Sequence, residues 1–417
     1  MKVSEFVALM SLDWADRKHV GCLQIVGNEE VEVFELEQKA TVISEWVGRL
    51  RTRFKSGKIA VAVEQKRGPL VYALMKYEIF VIFPLNTTAV KNYRKALRAS
   101  GAKDDFSDAY LQLLFLQRHL HQLRRLEPDD VLTRQLRLLV EGRRDLVDRC
   151  SALSNQLTAL LKEYYPTALE LVGDLKTSLA CDFLMKFSSF EKAKAVQADE
   201  LRAFYQKRNC RSKKAIESRL RILDQAAALI EEKPILEVYE QIMSSLVVQM
   251  RVLLKSISGF DQKIKVLFQN HPDVEVYKSF PAAGPALGPR LAVVFGKDRD
   301  RFENASAIST FSGIAPVRIQ SGRKQLICFR WSAPKFVRQT LVEFARLTIQ
   351  KSQWAEAFYR LLRSRGKGHQ AAIRALAFKW VRILYCCWRN RLVYDESIYL
   401  QALKKRNSPL IKLLGYA

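Results

Sequence analysis

Four acidic side chains stand where carboxylates can share a metal ion. Asp13 ends one apolar run of the chain and Glu64 ends another. Asp105 and Asp108 open a predicted helix three residues apart, so their side chains share one face of it. Carboxylates gathered at strand ends repel one another unless a divalent cation lies between them, and oxygen ligands suit Mg²⁺ or Mn²⁺. The sequence therefore predicts a magnesium or manganese site on these four acids.

The charge of the chain indicates what such a site would act on. The 417 residues include 69 Lys and Arg against 43 Asp and Glu, a net charge of +26. The sequence pI of about 9.8 is in the range typical of nucleic-acid-binding domains. The alternative is a cationic surface that serves solubility alone. For an acidic cluster in so basic a chain, the expected substrate is a phosphodiester.

Cysteine usage and hydropathy restrict the compartment. The seven cysteines are odd in number and lack paired C-x-x-C spacing, which argues against a zinc site and against a disulfide framework. The N-terminus lacks the basic and long apolar regions of a signal peptide. The most apolar late stretch, 375–388, is interrupted by Lys379 and Arg382 and is too short to span a bilayer. The sequence predicts a cytoplasmic protein without a membrane partner.

The elements that would position the acids lie in residues 1–125, which are predicted to be α/β. Three apolar runs joined by turns are predicted to be strands. They are followed by a helix, a strand ending at Glu64, a second helix, a strand stopping at Pro84 and a basic helix. This is the element order of ribonuclease-H-like domains. It places Asp13 on the first, central strand and Glu64 on the fourth.

Residues 126–274 are predicted to be helical. Apolar residues repeat in steps of four and three over 132–160, a sustained heptad pattern, and a second such pattern covers 235–260. The two long helices can pair within one chain as a hairpin or between chains as a dimer, and the sequence leaves both open. A basic insert between them includes Lys213 and Lys214, which suit either a charged, solvated loop or phosphate binding.

Residues 275–417 are predicted to form a third, mostly helical unit. The turn 281–285 precedes an apolar helix, and it can either present backbone amides to a phosphate or be an ordinary helix–helix connection. Ser321-Gly322 follows, with Arg323 and Lys324 directly after it, and a helical tail rich in arginine and lysine completes the chain.

Taken together, these residues resemble the DEDD-type insertion-sequence transposases of the one-ten family, bridge-RNA-guided recombinases. The matching motifs are Leu12-Asp13-Trp14-Ala15-Asp16, Val63-Glu64, Lys103-Asp104-Asp105-Phe106-Ser107-Asp108-Ala109, Pro281-Ala282-Ala283-Gly284, and Phe311-Ser312-Gly313-Ile314-Ala315-Pro316 with Ser321-Gly322. Each motif alone is weak, and five in the family's order are specific. The chain departs from the family at Ala282, where a glycine is usual, and in the length of its helical middle.

The resemblance implies a ribonuclease-H/RuvC-like domain holding Mg²⁺ (or Mn²⁺) on the four acids and a C-terminal transposase domain. The heptad patterns between these two domains predict a helical coiled-coil middle. Ser321 would be the nucleophile that attaches covalently to a DNA phosphate. The implied partners are double-stranded donor and target DNA and a structured non-coding guide (bridge) RNA. The implied assembly is a homodimer or homotetramer with a composite active site, in a prokaryotic cytoplasm at the nucleoid.

The chemistry is consistent with the residues themselves. A serine hydroxyl is a poor nucleophile until a base or a metal activates it. Two divalent ions can stabilise the entering and leaving oxygens of an in-line displacement. Arg323, Lys324 and Arg330 lie close to Ser321 in sequence and are expected to neutralise the reacting phosphate.

Two other classes of function stay open at this point. One is a structure-selective RuvC-like endonuclease, such as a junction resolvase, that uses the acids with water as nucleophile. The other is a catalytically silent scaffold that binds RNA and DNA. Two acidic neighbours are not expected to be ligands: Asp104 precedes the matching position, and Asp16 belongs to a turn. Trp354, Phe358 and Tyr359 are expected to be core rather than base-stacking residues.

Overall fold

The structure, a computed structural model, describes residues 1–65, 67–97, 104–127 and 129–414, with the side chains of 412 and 413 left out. The chain divides into two compact units, Met1–Pro128 and Asp129–Ala417. The finer division at 125/126 and 274/275 stays a prediction. Among the described helices, none combines the length and the hydrophobicity needed to cross a bilayer.

The first unit is a mixed sheet flanked by helices. Its elements are β1 (Ala8–Asp13), β2 (Lys18–Ile25), β3 (Val31–Glu37), α1 (Ala40–Phe54), β4 (Ile59–Val63), α2 (Pro69–Leu74), β5 (Phe80–Pro84), α3 (Thr87–Leu97) and α4 (Asp105–His119), with short 3₁₀ turns at Val3–Glu5 and Leu120–Gln122. The strand order is β3-β2-β1-β4-β5. β1 runs antiparallel to β2 and parallel to β4, and β4 runs parallel to β5. The predicted element order and the central position of β1 are confirmed.

The central strands form because their sequences are apolar without interruption. β4 is buried at every residue, and so is β1 up to its last residue, which is typical of strands covered on both faces. On one face pack the apolar side chains of α1, among them Trp46. On the other face pack those of α4, among them Leu113. β3 carries three exposed glutamates, a composition that protects an edge strand from further pairing.

The second unit is built on two long helices, α5 (Val131–Tyr164) and α11 (Lys233–Gln269). They pack against each other in antiparallel directions. Arg143 near the start of α5 pairs with Asp261 near the end of α11. At the other end Tyr164 stacks on Tyr239, with ring centroids 5.0 Å apart and planes 10° apart. Of the two pairings that the sequence left open, the hairpin within one chain is therefore present.

Five short helices between α5 and α11 form a lobe on this hairpin. They are α6 (Thr167–Val172), α7 (Ser178–Lys186), α8 (Phe190–Lys194), α9 (Ala198–Lys207) and α10 (Lys213–Gln225). Phe183, Phe187, Phe204 and Tyr205 meet at the centre of the lobe, each buried and in ring contact with a neighbour. The segment predicted as a basic insert is thus a folded lobe with its own aromatic core.

The rest of the unit is a helical bundle with one β-hairpin. Its elements are α12 (Val274–Lys278), α13 (Leu287–Phe295), α14 (Ala305–Phe311), β6 (Val317–Ser321), β7 (Lys324–Cys328), α15 (Lys335–Thr348), α16 (Gln353–Ser364), α17 (His369–Asn390), α18 (Glu396–Lys405) and α19 (Pro409–Leu413). Trp354 is fully buried and donates to Tyr394 Oη at 2.9 Å. Phe358 and Tyr359 pack partly buried against the same core. The prediction of a core residue is confirmed for Trp354, and Phe358 and Tyr359 lie at the edge of that core.

Candidate functional site

The strand register brings Asp13 and Glu64 to the same edge of the sheet. In the parallel pair of β1 and β4, Leu12 lies beside Val63. Asp13 is the next residue of β1, and Glu64 directly follows β4. Both carboxylates therefore emerge at the carboxyl ends of adjacent strands, where ligands of open α/β sheets commonly bind.

Helix α4 brings the other two acids to that edge. Ser11 Oγ on β1 donates to the Ala109 carbonyl oxygen at 2.6 Å, which fixes the first turns of α4 against the central strand. One turn further on, Gln112 Nε2 donates to Asp13 Oδ1 at 2.7 Å. Asp105 and Asp108 lie in the first turn of α4, and Asp108 is buried whereas Asp105 is exposed. The helix is thus held with its acidic end over the end of β1.

The other three acids all act on the Asp13 carboxyl. Burial raises the pKa of Asp13 to about 6, and the charge of Glu64 is the next largest cause. The charges of Asp108 and Asp105 raise this pKa further, and the hydrogen bond from Gln112 opposes them. Asp13 is therefore the point where the fields of the other three acids converge.

The donor chemistry fits a hard divalent cation, because every candidate ligand is a carboxylate oxygen. In the described part of the chain, no group of three or more His, Cys, Asp or Glu side chains is arranged to hold a metal ion. Asp108 forms an ion pair with Arg94 of α3, and both side chains are largely buried. A guanidinium thus compensates one carboxylate charge that a cation would otherwise compensate.

The neighbouring acids have the roles expected of them. Asp104 is the N-cap of α4, and its carboxylate accepts from the Ser107 backbone N–H at 2.7 Å. Asp16 is exposed in the bend between β1 and β2. Lys103, part of the same sequence motif, lies outside the described residues.

Three polar residues of this site were not predicted from the sequence as parts of it. Arg94 lies on α3, which the sequence predicted only as a basic helix, and Gln112 and His19 were not among the predicted site residues. Buried His19 accepts from the Ala15 backbone N–H at 3.1 Å through Nδ1, and its Nε2 lies 2.6 Å from Gln38 Oε1. His19 therefore fixes the turn after Asp13. The only signal for Gln112 was its position four residues after Asp108 on the same helix face.

Ser321 lies at the tip of the β6–β7 hairpin in the second unit. Ser321 pairs with Lys324 across a two-residue turn formed by Gly322 and Arg323. Gly322 has a φ of 56° at the first turn position, where type II′ hairpin turns require glycine. Ser321, Arg323 and Lys324 are exposed, and Arg330, after β7, is partly buried. The serine is open to a substrate and has cationic neighbours.

Lys213 and Lys214 are the first two residues of α10. Both are exposed, as are Lys207, Arg211 and Arg221, and within the described residues none of the five forms an ion pair with a carboxylate. Cations at a helix N-terminus are disfavoured by the helix dipole, so they do not serve stability. We call these five residues the lobe patch, a positively charged surface of the lobe.

The turn 281–285 connects α12 to α13. Ala282 adopts a φ of 64°, a conformation that favours the glycine usual at this position. The start of α13 is buried, and a Cβ on Gly288 would stand 2.7 Å from the Ala283 carbonyl oxygen. The turn therefore packs closely against the first residues of α13, while Gly284 within it is exposed and has open surroundings.

Comparison with known proteins identifies the family to which this fold and acid cluster belong. The family model DEDD_Tnp_IS110, described as transposase, matches residues 10–166, and the model of the IS116/IS110/IS902 transposase family matches residues 274–360. The chain belongs to the IS110 family of insertion-sequence transposases. The two matched ranges leave the lobe and α11 between them.

Two similar proteins illustrate the relationship. The mini-circle putative transposase for IS117 of Streptomyces coelicolor is 30% identical over 346 residues, 81% of this chain and 83% of that protein. An uncharacterized 42 kDa protein of insertion element IS900 from Mycobacterium paratuberculosis is 25% identical over 382 residues, 90% of this chain and 91% of that protein. In each comparison, the similarity covers most of this chain and most of the related protein.

Proposed function

We propose that this transposase recombines double-stranded DNA under the guidance of an RNA, using a divalent cation held by the four acids and Ser321 as nucleophile. The observation that carries the proposal is that Asp13 and Glu64 emerge at the carboxyl ends of adjacent strands, while α4 holds Asp105 and Asp108 at the same edge. The raised pKa of Asp13, to which the charges of the other three acids contribute, is consistent with this arrangement. Enzyme sites characteristically contain carboxyls whose pKa values are shifted by burial and by like charges. The strand order supports a ribonuclease-H/RuvC-like domain.

A Mg²⁺ or Mn²⁺ ion at this edge would relieve the mutual repulsion of the acids and, when bound, stabilise the entering and leaving oxygens of phosphoryl transfer. Gln112 orients the Asp13 carboxylate toward the common edge. Arg94 compensates Asp108 and would have to share that carboxylate with the ion.

The serine step conserves the energy of the broken phosphodiester bond. Ser321 Oγ attacks the phosphorus, an Oγ–P bond forms and the strand's P–O bond breaks. The serine proton ends on the hydroxyl of the departing strand. Lys324, paired with Ser321, and the adjacent Arg323 supply positive charge beside the phosphate. If the hydroxyl of a different strand then attacked the phosphoserine, the Oγ–P bond would break and the strands would be exchanged without ATP.

The net charge of +26 and the lobe patch support binding to an extended polyanion. Lys213 and Lys214 would contact phosphates of DNA or of the guide RNA. The heptad spacing and antiparallel packing of α5 and α11 support a coiled-coil middle. Membership of the family supports a homodimer or homotetramer in a prokaryotic cell.

The test is formation of a covalent protein–DNA adduct, detected on denaturing gels with DNA carrying the element's ends and RNA transcribed from the flanking sequence. The expected result is an Mg²⁺-dependent adduct that Ser321→Ala and Asp13→Ala both abolish. Ser332 is an exposed serine after the same hairpin, so Ser332→Ala is the matched control and should still form the adduct. Normal cleavage by Ser321→Ala would instead favour a water-using nuclease. Binding without any cleavage by the wild-type protein would favour a scaffold.

A further inference from the structure

We propose that Trp331 is a stacking residue for an unpaired base of the DNA strand that reaches Ser321. The inference rests on the proposed function, because it assumes that the Ser321 hairpin approaches DNA. It concerns a residue that the family motifs in this sequence do not include.

Trp331 is the most exposed of the large hydrophobic side chains in the part of the chain that the structure describes, with 84% of its surface accessible. Single exposed hydrophobic residues are normal on protein surfaces, so this exposure is not enough. The additional observation is that the surrounding structure holds Trp331 in place while leaving its ring open.

An arginine fixes the backbone beneath the indole. Arg338 Nη2 donates to the carbonyl oxygens of Arg330 at 2.5 Å and Trp331 at 3.1 Å. Gly313 leaves room for this arginine, since a Cβ there would stand 2.5 Å from Arg338 Nη2. The backbone of Trp331 is therefore tied to α15 although its side chain faces solvent.

A second aromatic ring supports the indole from the side. Phe329 meets Trp331 edge to face, with centroids 5.3 Å apart and planes 86° apart. Phe329 in turn lies beneath two guanidinium groups, of Arg338 at 4.5 Å and of Arg374 at 5.3 Å. The indole is thus presented by a built support, and its orientation costs little entropy on binding.

The charge of this segment selects the partner. From 304 to 342 the sequence contains no aspartate or glutamate, and it contains six cations, Arg318, Arg323, Lys324, Arg330, Lys335 and Arg338. A ligand for this surface is therefore anionic. An exposed aromatic ring among cations is the combination that binds unpaired nucleic acid, because bases stack on the ring while the cations follow the phosphates.

The length of the hairpin sets the scale of the distance between Ser321 at its tip and Trp331, which follows the end of β7 by three residues. Ser321 is four residues from Val317 along β6, and Val317 pairs with Cys328 at the base of the hairpin. The tip is thus about 14 Å from the base, because a strand rises about 3.4 Å per residue. Over this length a strand of duplex DNA spans about four nucleotides, because its phosphates are about 3.4 Å apart along the helix axis. The base at the indole must be unpaired to expose its face, as it is during strand exchange.

The test is equilibrium DNA binding by the full-length Ser321→Ala protein, so that no strand is cut. The probes are a duplex, the same duplex with an unpaired bubble of about four nucleotides, and a single-stranded RNA of the bubble's sequence. Trp331→Ala should weaken binding to the bubble about tenfold and binding to the duplex less than about twofold. Trp331→Phe should retain most of the affinity for the bubble. Ile398→Ala, a control at another exposed apolar residue, should change neither.

Other results would overturn the proposal. Equal loss on both probes would show that Trp331 does not recognise unpaired bases. Loss only on single-stranded RNA of the same sequence would assign the indole to the guide. Unchanged DNA binding with altered subunit association in sedimentation would assign it to a protein contact. Since binding requires no catalysis, failure of adduct formation at Ser321 would refute the proposed nucleophile and leave this result to stand separately.

Discussion

Gln112 donates its side-chain amide to Asp13 across the interface between α4 and the central strand, at 2.7 Å. This bond lowers the pKa of Asp13, whereas burial and the charges of three neighbouring acids raise it. Gln112 is fully buried, so the orientation of Asp13 is set by the core of the first unit. The acid cluster is held in an electrostatically costly arrangement.

Because the ionised form of Asp13 is unfavourable beside the other acids, we expect Asp13→Asn to stabilise the metal-free protein near neutral pH. The pKa of Asp13 is raised from 3.8 to about 6, so the fold favours its protonated form. The stability that protonated Asp13 contributes to the fold is fully present below about pH 4 and is lost as the pH rises through about 6. The gain from the substitution is expected to be about 1 kcal/mol after allowance for solvent screening.

Urea unfolding of both proteins, at about pH 7.5 and at about pH 4, checks this expectation. The difference in free energy of unfolding should favour Asp13→Asn at the higher pH and shrink at the lower one. A variant that is less stable than the wild type at both pH values would show that Asp13 is not under strain.

Arg94→Gln is expected to destabilise the metal-free protein by about 2 kcal/mol, because it leaves the buried carboxylate of Asp108 without its guanidinium. Mg²⁺ should recover part of this loss, since a cation at the acid cluster can replace the missing positive charge. Thermal unfolding with and without Mg²⁺ measures both effects. Arg53→Gln, the control, breaks an exposed ion pair with Glu32. It should neither destabilise the protein measurably nor make its stability depend on Mg²⁺. A destabilisation that Mg²⁺ leaves unchanged would separate Asp108 from the metal site.

Much of the first unit could be predicted from the sequence, because apolar runs define the strands and the acids follow them directly. The roles of Gln112 and Arg94 could not, because a polar residue on a helix has no periodic signal that identifies its partner. The pairing of α5 with α11 also had to come from the structure. A heptad pattern fits a partner helix in the same chain or in another, and contacts such as Tyr164 on Tyr239 decide between them.

Ala282→Gly is expected to stabilise the second unit by about 1 kcal/mol, because Ala282 has a φ of 64° and a Cβ is unfavourable there. Ala283→Gly is the matched control. Ala283 is buried and is absent from the residues with positive φ, so its replacement should lower stability. Chemical denaturation of the two variants compares them directly, and equal destabilisation by both would contradict the backbone argument.

The double variant Lys213→Gln with Lys214→Gln should weaken nucleic-acid binding and reduce its salt dependence. Each phosphate contact contributes about one unit to the slope of log K against log salt, so the slope should become shallower by about two. Arg202→Gln, on the same lobe but already paired with Glu217 and Asp199, is the control and should leave the slope unchanged. An unaltered slope in the double variant would make the lobe patch a solvated surface.

Direct titration of Mn²⁺ into the metal-free protein, followed by electron paramagnetic resonance, tests the central claim that the four acids hold a divalent cation. We predict saturable binding by the wild type at about pH 7.5, and weaker binding below about pH 6 as Asp13 takes up a proton. Asp13→Asn and Glu64→Gln should each lose this binding, whereas Asp16→Asn, in the adjoining bend, should keep it. Undiminished binding by Asp13→Asn and Glu64→Gln would contradict the account.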